Sequence, residues 1–212
     1  AGEPLAYVTG MAGFRRLTLR CDRRALIPRP ETEGLVDLVL ERCTGGTIAD
    51  IGTGSGCLAL ALADEGSFAR VIGVDRSREA LSLARDNVAL TSLDLALVCG
   101  DLTSAFGEGT FDAVVSNPPY LTRGEYDSLD ASVRAWEPAS ALVSGEDGLL
   151  APRRLLADAL RAVRAGGWIV LEVDASRAGE TARCARASGW EAVDIHKDLY
   201  GRERYLLARR SD

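Results

Sequence analysis

From Thr47 onward, short apolar runs rich in β-branched residues alternate with stretches whose apolar positions recur every three or four residues. The runs over 47–51, 71–75, 95–99, 111–116 and 168–173 predict strands. Between them, 58–65, 78–90, 149–163 and 178–187 predict helices. Strands that alternate with helices form parallel pairs, because a parallel connection needs about a dozen residues or more and a helix supplies them. Near the end the pattern changes: 191–196 and 204–209 have no helix between them and predict an antiparallel pair turning at Gly201. The expected fold is therefore α/β, a doubly wound, mostly parallel seven-stranded sheet that finishes in an antiparallel hairpin.

The first 46 residues read differently. Short strands over 7–9 and 14–21, joined around Gly10 and Gly13, predict a small β-hairpin, followed by a proline-punctuated stretch and a helix over 35–43. This organises the chain as an N-terminal appendage or lid, 1–46, on a main domain, 47–212. The weakly periodic segment 121–147 predicts a long loop, and loops of that length inside compact domains are usually functional, so it is expected to face the substrate.

Composition narrows the class. The 212 residues are 47% hydrophobic and 26% charged, enough for one sizeable core. A net charge of −6, with Lys197 the sole lysine and the arginines scattered, argues against a duplex-binding surface. Arg153, Arg154, Arg161 and Arg164 fall on the polar side of a predicted helix rather than along a nucleic-acid track. The longest apolar stretch, 57–63, is far short of the roughly 20 residues that cross a bilayer. Ala1-Gly2-Glu3-Pro4 has neither the basic nor the apolar region of a secretion signal, so a cytoplasmic protein is expected. Five cysteines without a C-x-x-C pair predict reduced thiols, and a single histidine, His196, leaves no usual zinc or iron ligand set.

Two motifs carry chemistry. Asp50-Ile51-Gly52-Thr53-Gly54-Ser55-Gly56 closes the first core strand and opens a helix, where open parallel sheets bind their ligands. A dinucleotide fingerprint would place its third glycine at position 57, which is Cys57; the G-x-G-x-G spacing after an acid favours S-adenosylmethionine instead, with another nucleotide as the alternative. Asp50, Gly52, Thr53, Gly54 and Gly56 are the candidate cofactor residues of this turn. Asp75, ending the second strand, either accepts hydrogen bonds from the ribose hydroxyls or caps the next helix, a task for which Ser77 competes. Asp101, with Leu102 beside it, either meets the adenine amino group or starts a turn.

The second motif, Asn117-Pro118-Pro119-Tyr120, follows the 111–116 strand and so lies on the same sheet edge. Pro119 has no N–H and holds Pro118 extended, which leaves the Pro118 carbonyl free to accept from a ligand. With the Asn117 carbonyl as second acceptor, the pair takes both hydrogens of a planar –NH2 group, and the Tyr120 ring stacks on its face. Asn117 also borders the cofactor. The lone pair of such a nitrogen is delocalised, so acceptors that stabilise positive charge growing on it favour the transition state, and no strong base is required. An amide or an aromatic amine is the implied nucleophile.

With these motifs, the chain resembles the HemK/PrmC family of protein-glutamine N5-methyltransferases across nearly its whole length. The likeness rests on Tyr7-Val8-Thr9-Gly10, Leu26-Ile27-Pro28-Arg29-Pro30-Glu31-Thr32-Glu33, the glycine turn, Asn117 to Tyr120, Trp136-Glu137-Pro138, and Asp198-Leu199-Tyr200-Gly201-Arg202-Glu203-Arg204. It implies the class I S-adenosylmethionine-dependent fold, methylation of the Gly-Gly-Gln glutamine of peptide chain release factors, and S-adenosyl-L-homocysteine as product. Asn117, Pro118 and Tyr120 become the catalytic group. Phe14, Arg29, Pro30, Glu31, Asn117, Pro118, Pro119 and Tyr120 become the substrate-binding set, and the release factor the partner, with no stable nucleic-acid or membrane partner. Members also carry an N-terminal helical docking domain that these residues do not include, and with it missing a raised KM is expected. Two further departures are Glu172-Val173-Asp174-Ala175-Ser176-Arg177, where many members have Glu-x-Gly and a later Gln, and Gly13, where an acid commonly precedes the aromatic. Adenine-N6 methylation of RNA or DNA uses the same four-residue signature and is the alternative activity; a non-catalytic cofactor-binding module is the third.

Overall fold

The computed structural model describes residues 2–212. The chain opens with α1 (Leu5–Thr9), the hairpin strands β1 (Met11–Phe14) and β2 (Leu17–Arg20), a 3-10 turn (Pro30–Thr32) and α2 (Glu33–Arg42). The alternating region follows: β3 (Thr47–Ile51), α3 (Cys57–Glu65), β4 (Arg70–Asp75), α4 (Arg78–Thr91), β5 (Ala96–Cys99) and β6 (Phe111–Ser116). Then come α5 (Arg123–Ser128), α6 (Ala131–Trp136), α7 (Leu150–Ala162), β7 (Val163–Glu172), α8 (Ala178–Ala187), β8 (Trp190–Lys197) and β9 (Glu203–Arg210).

Seven strands form one sheet in the order β5-β4-β3-β6-β7-β9-β8. The first five run parallel; β9 pairs antiparallel with β7, and β8 antiparallel with β9. The order reverses at β3, whose neighbours β4 and β6 lead away on opposite sides, and that switch point is where a doubly wound sheet opens its crevice.

Both faces of the sheet are covered at its centre, which is why β3, β6 and the end of β7 bury apolar residues on both sides. Ala49, Val114, Ile169 and Ala208 are register partners across β3, β6, β7 and β9 and point to one face. There they pack with Leu155 and Leu156 of α7 and Ala182 and Ala185 of α8. The alternate residues Ile48, Ala113, Val115, Val170 and Leu207 point to the other, against Leu35, Val36 and Val39 of α2 and Leu58 to Leu62 of α3. The period-2 swap of faces along β3, β6 and β7 is the strand repeat itself.

Four expectations are corrected. The strand expected over 7–9 is the helix α1: the Pro4 carbonyl accepts from Tyr7 and Val8 N–H, and Gly10 ends the turn in the left-handed conformation at φ 70°. Its β-prone residues are overridden by a tertiary contact, the buried Tyr7 hydroxyl donating to the Ala25 carbonyl at 2.8 Å. The strand expected over 14–21 is folded back on itself, because the chain turns at Arg15 (φ 52°), whose guanidinium is held by Glu65 and Asp37. The loop expected over 121–147 contains α5 and α6. Each is six residues long and Tyr126 is the sole buried residue of the two, so neither leaves a periodic trace. Finally, β7 begins at Val163 rather than Trp168; Arg164 to Gly167 lack alternation, and the ladder is irregular between Phe111 and Ala113.

No helix of the described residues is long and apolar enough to cross a membrane. The five cysteines are all free thiols.

Candidate active site

A cavity of about 340 Å³ opens at the carboxyl ends of β3 to β6, over the switch point. Gly52, Asp75, Asp101, Leu102, Asn117 and Pro118 line it, which brings the two sequence motifs to one cavity. Asp50, Thr53, Gly54, Arg29 and Thr32 also reach it.

The glycine turn explains its own composition. Gly52, Gly54 and Gly56 sit at φ 74°, 57° and 82°, where side chains are strained. A Cβ built on Gly52 meets no protein atom within 4 Å, so glycine there keeps the backbone approachable from the cavity. Gly52 and Thr53 N–H both donate to the Val74 carbonyl, at 2.8 and 3.0 Å, pinning the turn to β4. Asp75 Oδ2 accepts from Gly54 N–H at 3.0 Å and its Oδ1 from Ser77 N–H at 2.8 Å. Ser77, not Asp75, caps α4, its Oγ accepting from Ala80 N–H, so the capping alternative for Asp75 falls away.

Asp50 is buried beneath the turn, accepting from the Thr53 hydroxyl at 2.6 Å and Ala59 N–H at 3.2 Å. Burial pushes its carboxyl up to about 7, and these two hydrogen bonds offset only part of the rise. The native chain therefore holds a proton that the unfolded chain has released above about pH 4, so stability falls as pH rises from about 4 to about 7 and then levels. Asp50→Asn keeps an acceptor and removes the titration. Thermal melts at pH 5 and pH 8 should show wild type losing more stability over that interval than the variant.

Asp101 is half-exposed at the rim and pairs with Arg154 at 2.6 Å. Leu102 adopts φ 54°, held there by Thr103, whose N–H and hydroxyl both donate to Asp158 Oδ2 at 2.7 Å.

On the substrate side, Asn117 is half-buried and Pro118 buried. None of the backbone hydrogen bonds formed by the described turns and loops ends on the Pro118 carbonyl. Asn117 Nδ2 donates to Thr32 Oγ1 at 2.9 Å, and the Thr32 hydroxyl donates to Glu172 Oε2 at 2.7 Å. Arg29 pairs with Glu137 at 2.5 Å, and Glu137 also accepts from Ile27 N–H at 3.2 Å.

Several sequence-predicted residues stand elsewhere. Phe14 is not a pocket wall: it is 1% exposed and packed among Leu19 and Leu35, since the hairpin turns its aromatic face into the core. Gly56, Pro30, Glu31 and Tyr120 lie outside the cavity lining, Gly56 because it packs against Ala84 and Leu60 instead. Glu31 is occupied by its own fold contacts, its carbonyl accepting from the Tyr205 hydroxyl at 2.6 Å and its carboxylate facing Arg202 at 3.5 Å. Burial pushes the Tyr120 phenol up to about 12, and the Glu172 carboxyl adds to the rise. Gly148 is required behind it, because a Cβ there would come 2.4 Å from the Tyr120 carbonyl. The Asp174–Arg177 stretch that departs from the family pattern is tied to α5, with Arg177 pairing to Glu125 at 2.7 Å.

Thr32, Glu137 and Glu172 were not singled out from sequence as site residues. Each sits in a motif or at a strand end, but the contacts that give it meaning span 85, 108 and 140 positions, and no local pattern encodes those.

Comparison with known proteins shows the family and the fold. Residues 31–145 match the family described as Methyltransferase small domain. A release factor glutamine methyltransferase of Deinococcus radiodurans is 44% identical over 214 residues, covering 100% of this chain and 76% of that protein. One of Thermodesulfovibrio yellowstonii is 35% identical over 215 residues, covering 99% of this chain and 77% of its own length. Among solved structures, a methyltransferase from Pyrococcus furiosus superposes with a TM-score of 0.68 at 20% identity, over 92% of this chain and 89% of that one.

Proposed function

We propose, because the chain belongs to the release factor glutamine methyltransferase family, that it methylates the side-chain amide N5 of the Gly-Gly-Gln glutamine in a peptide chain release factor, working in the cytoplasm. The observation that supports the chemistry is that Asn117 and Pro118 line the same cavity as Gly52 and Gly54 of the glycine turn.

The cavity suits S-adenosylmethionine: an open-backed glycine turn, a carboxylate at the next strand end for the ribose, and Asp101 with Leu102 for the adenine. When bound, that cosubstrate supplies a methyl group on a positively charged sulfur. The chain's own part is to bind and orient. Asn117 Oδ1 and the Pro118 carbonyl take the two amide hydrogens, which aligns the nitrogen lone pair and stabilises the positive charge that grows as the N–C bond forms and the S–C bond breaks. The nitrogen then loses one proton to water; with its acidity raised by alkylation, no dedicated base is needed.

Peptide mapping tests the reading. Incubation with labelled S-adenosylmethionine and intact release factor should add one methyl to the loop glutamine. Efficient labelling of adenine in RNA or DNA, with none on the release factor, would move the assignment to adenine-N6 methylation.

A further inference from the structure

We infer that Thr32 and Glu172 are positioning residues for methyl transfer: together they set which way the Asn117 amide faces and keep its Oδ1 turned to the nucleophile. The inference rests on the amide-methylation reading above. A threonine hydroxyl has one proton. With that proton given to Glu172 Oε2 at 2.7 Å, Thr32 Oγ1 presents only lone pairs to Asn117, 2.9 Å away. The amide must therefore offer its NH2. Turned over, Oδ1 would face another oxygen with no proton between them, and the NH2 would point at a substrate that needs an acceptor.

The placement of Thr32 supports a dedicated role. It stands at the N-terminus of α2, where a threonine hydroxyl ordinarily accepts from a free helix N–H, yet it makes no such bond. Its hydroxyl is committed instead to Glu172. Both residues are buried, at 4% and 2% exposure, and burying a carboxyl at the end of a core strand costs free energy that an apolar residue would not. Three segments distant in sequence, the Pro-Arg-Pro-Glu-Thr-Glu run, the end of β7 and the Asn-Pro-Pro-Tyr turn, meet in this one chain of hydrogen bonds. It also gives Glu172 a function although the residues after it depart from the family pattern.

Thr32→Val keeps the shape and removes the hydroxyl, freeing the Asn117 amide to face either way. The kcat for release-factor methylation should fall at least roughly 10-fold, the scale for losing one oriented contact. Calorimetric affinity for S-adenosylmethionine should stay at the wild-type value, while the melting temperature falls because the buried Glu172 carboxyl loses its hydrogen bond. Thr32→Ser, which restores the hydroxyl, should recover most of the lost kcat; a merely packing role would not separate Ser from Val in this way. Should the Val variant melt early, the double variant Thr32→Val with Glu172→Gln, which lacks the hydroxyl without stranding a carboxylate, takes its place. Wild-type kcat in the variant lacking the hydroxyl, or a Ser variant as slow as it, overturns the inference. Wild-type enzyme is assayed alongside: if it leaves the glutamine unmethylated the proposed function fails, whereas an active wild type with an equally active Val variant removes only the positioning role.

Discussion

Replacing Asn117 with alanine should lower kcat for release-factor methylation by at least roughly 100-fold, the scale for losing one preorganised contact to the transition state. The amide nitrogen is a poor nucleophile whose charge changes little on binding and rises as the new bond forms, so an acceptor aimed at its hydrogens matters most at the transition state. The loss should appear in kcat and in kcat/KM together, with KM little changed. Folding should be nearly indifferent. Asn117 is half-buried, and its removal leaves Thr32 with its hydrogen bond to Glu172 intact. Cofactor affinity by calorimetry and thermal melting provide the controls. A variant that retains wild-type turnover would show that the Asn-Pro-Pro-Tyr turn is structural, and a variant that unfolds would show the same by another route.

The parallel core was legible in the chain because burial on both faces leaves short, mainly apolar strands, and the bounds of β3, β6 and α8 coincide with the runs that predicted them. The glycine turn was legible for a related reason: positive φ at three closely spaced positions demands glycine, so the sequence records the backbone directly. The appendage was not. Tyr7 to Thr9 have β-prone side chains, and the helix there depends on Pro4, Gly10 and a hydroxyl reaching Ala25, none of which a periodicity reports. The substrate side was legible only in part. Asn117 and Pro118 announce themselves by chemistry, but the carboxyl groups that hold the surrounding loops, Glu137 and Glu172, look like ordinary acids until the fold brings Arg29 and Thr32 to them. Arg29 shows both at once, since it lines the cavity as its sequence neighbours suggest and its guanidinium also pairs with the buried Glu137.

Arg29→Ala should therefore act on stability first. Glu137 has a side chain 1% exposed, and Arg29 is its partner in the ion pair, at 2.5 Å, while Ile27 N–H supplies a further hydrogen bond. Removing the guanidinium leaves the Glu137 carboxylate without its charged partner. Breaking one side of a buried pair costs about 3–5 kcal/mol, and because Arg29 itself is 35% exposed, the lower end, about 3 kcal/mol, is expected. For a chain of this length that corresponds to a fall in Tm of roughly 6–12 °C. A second substitution distinguishes a stranded charge from lost packing: Glu137→Gln in the Arg29→Ala background keeps an oxygen for Ile27 N–H and removes the charge, and should restore much of the Tm. The 26–33 run would then be a strap tied down by Glu137, with Thr32 at its far end held where Asn117 needs it. If Arg29→Ala instead melts like wild type and raises KM for the release factor, the guanidinium leaves Glu137 to bind substrate, and the strap is held by other contacts.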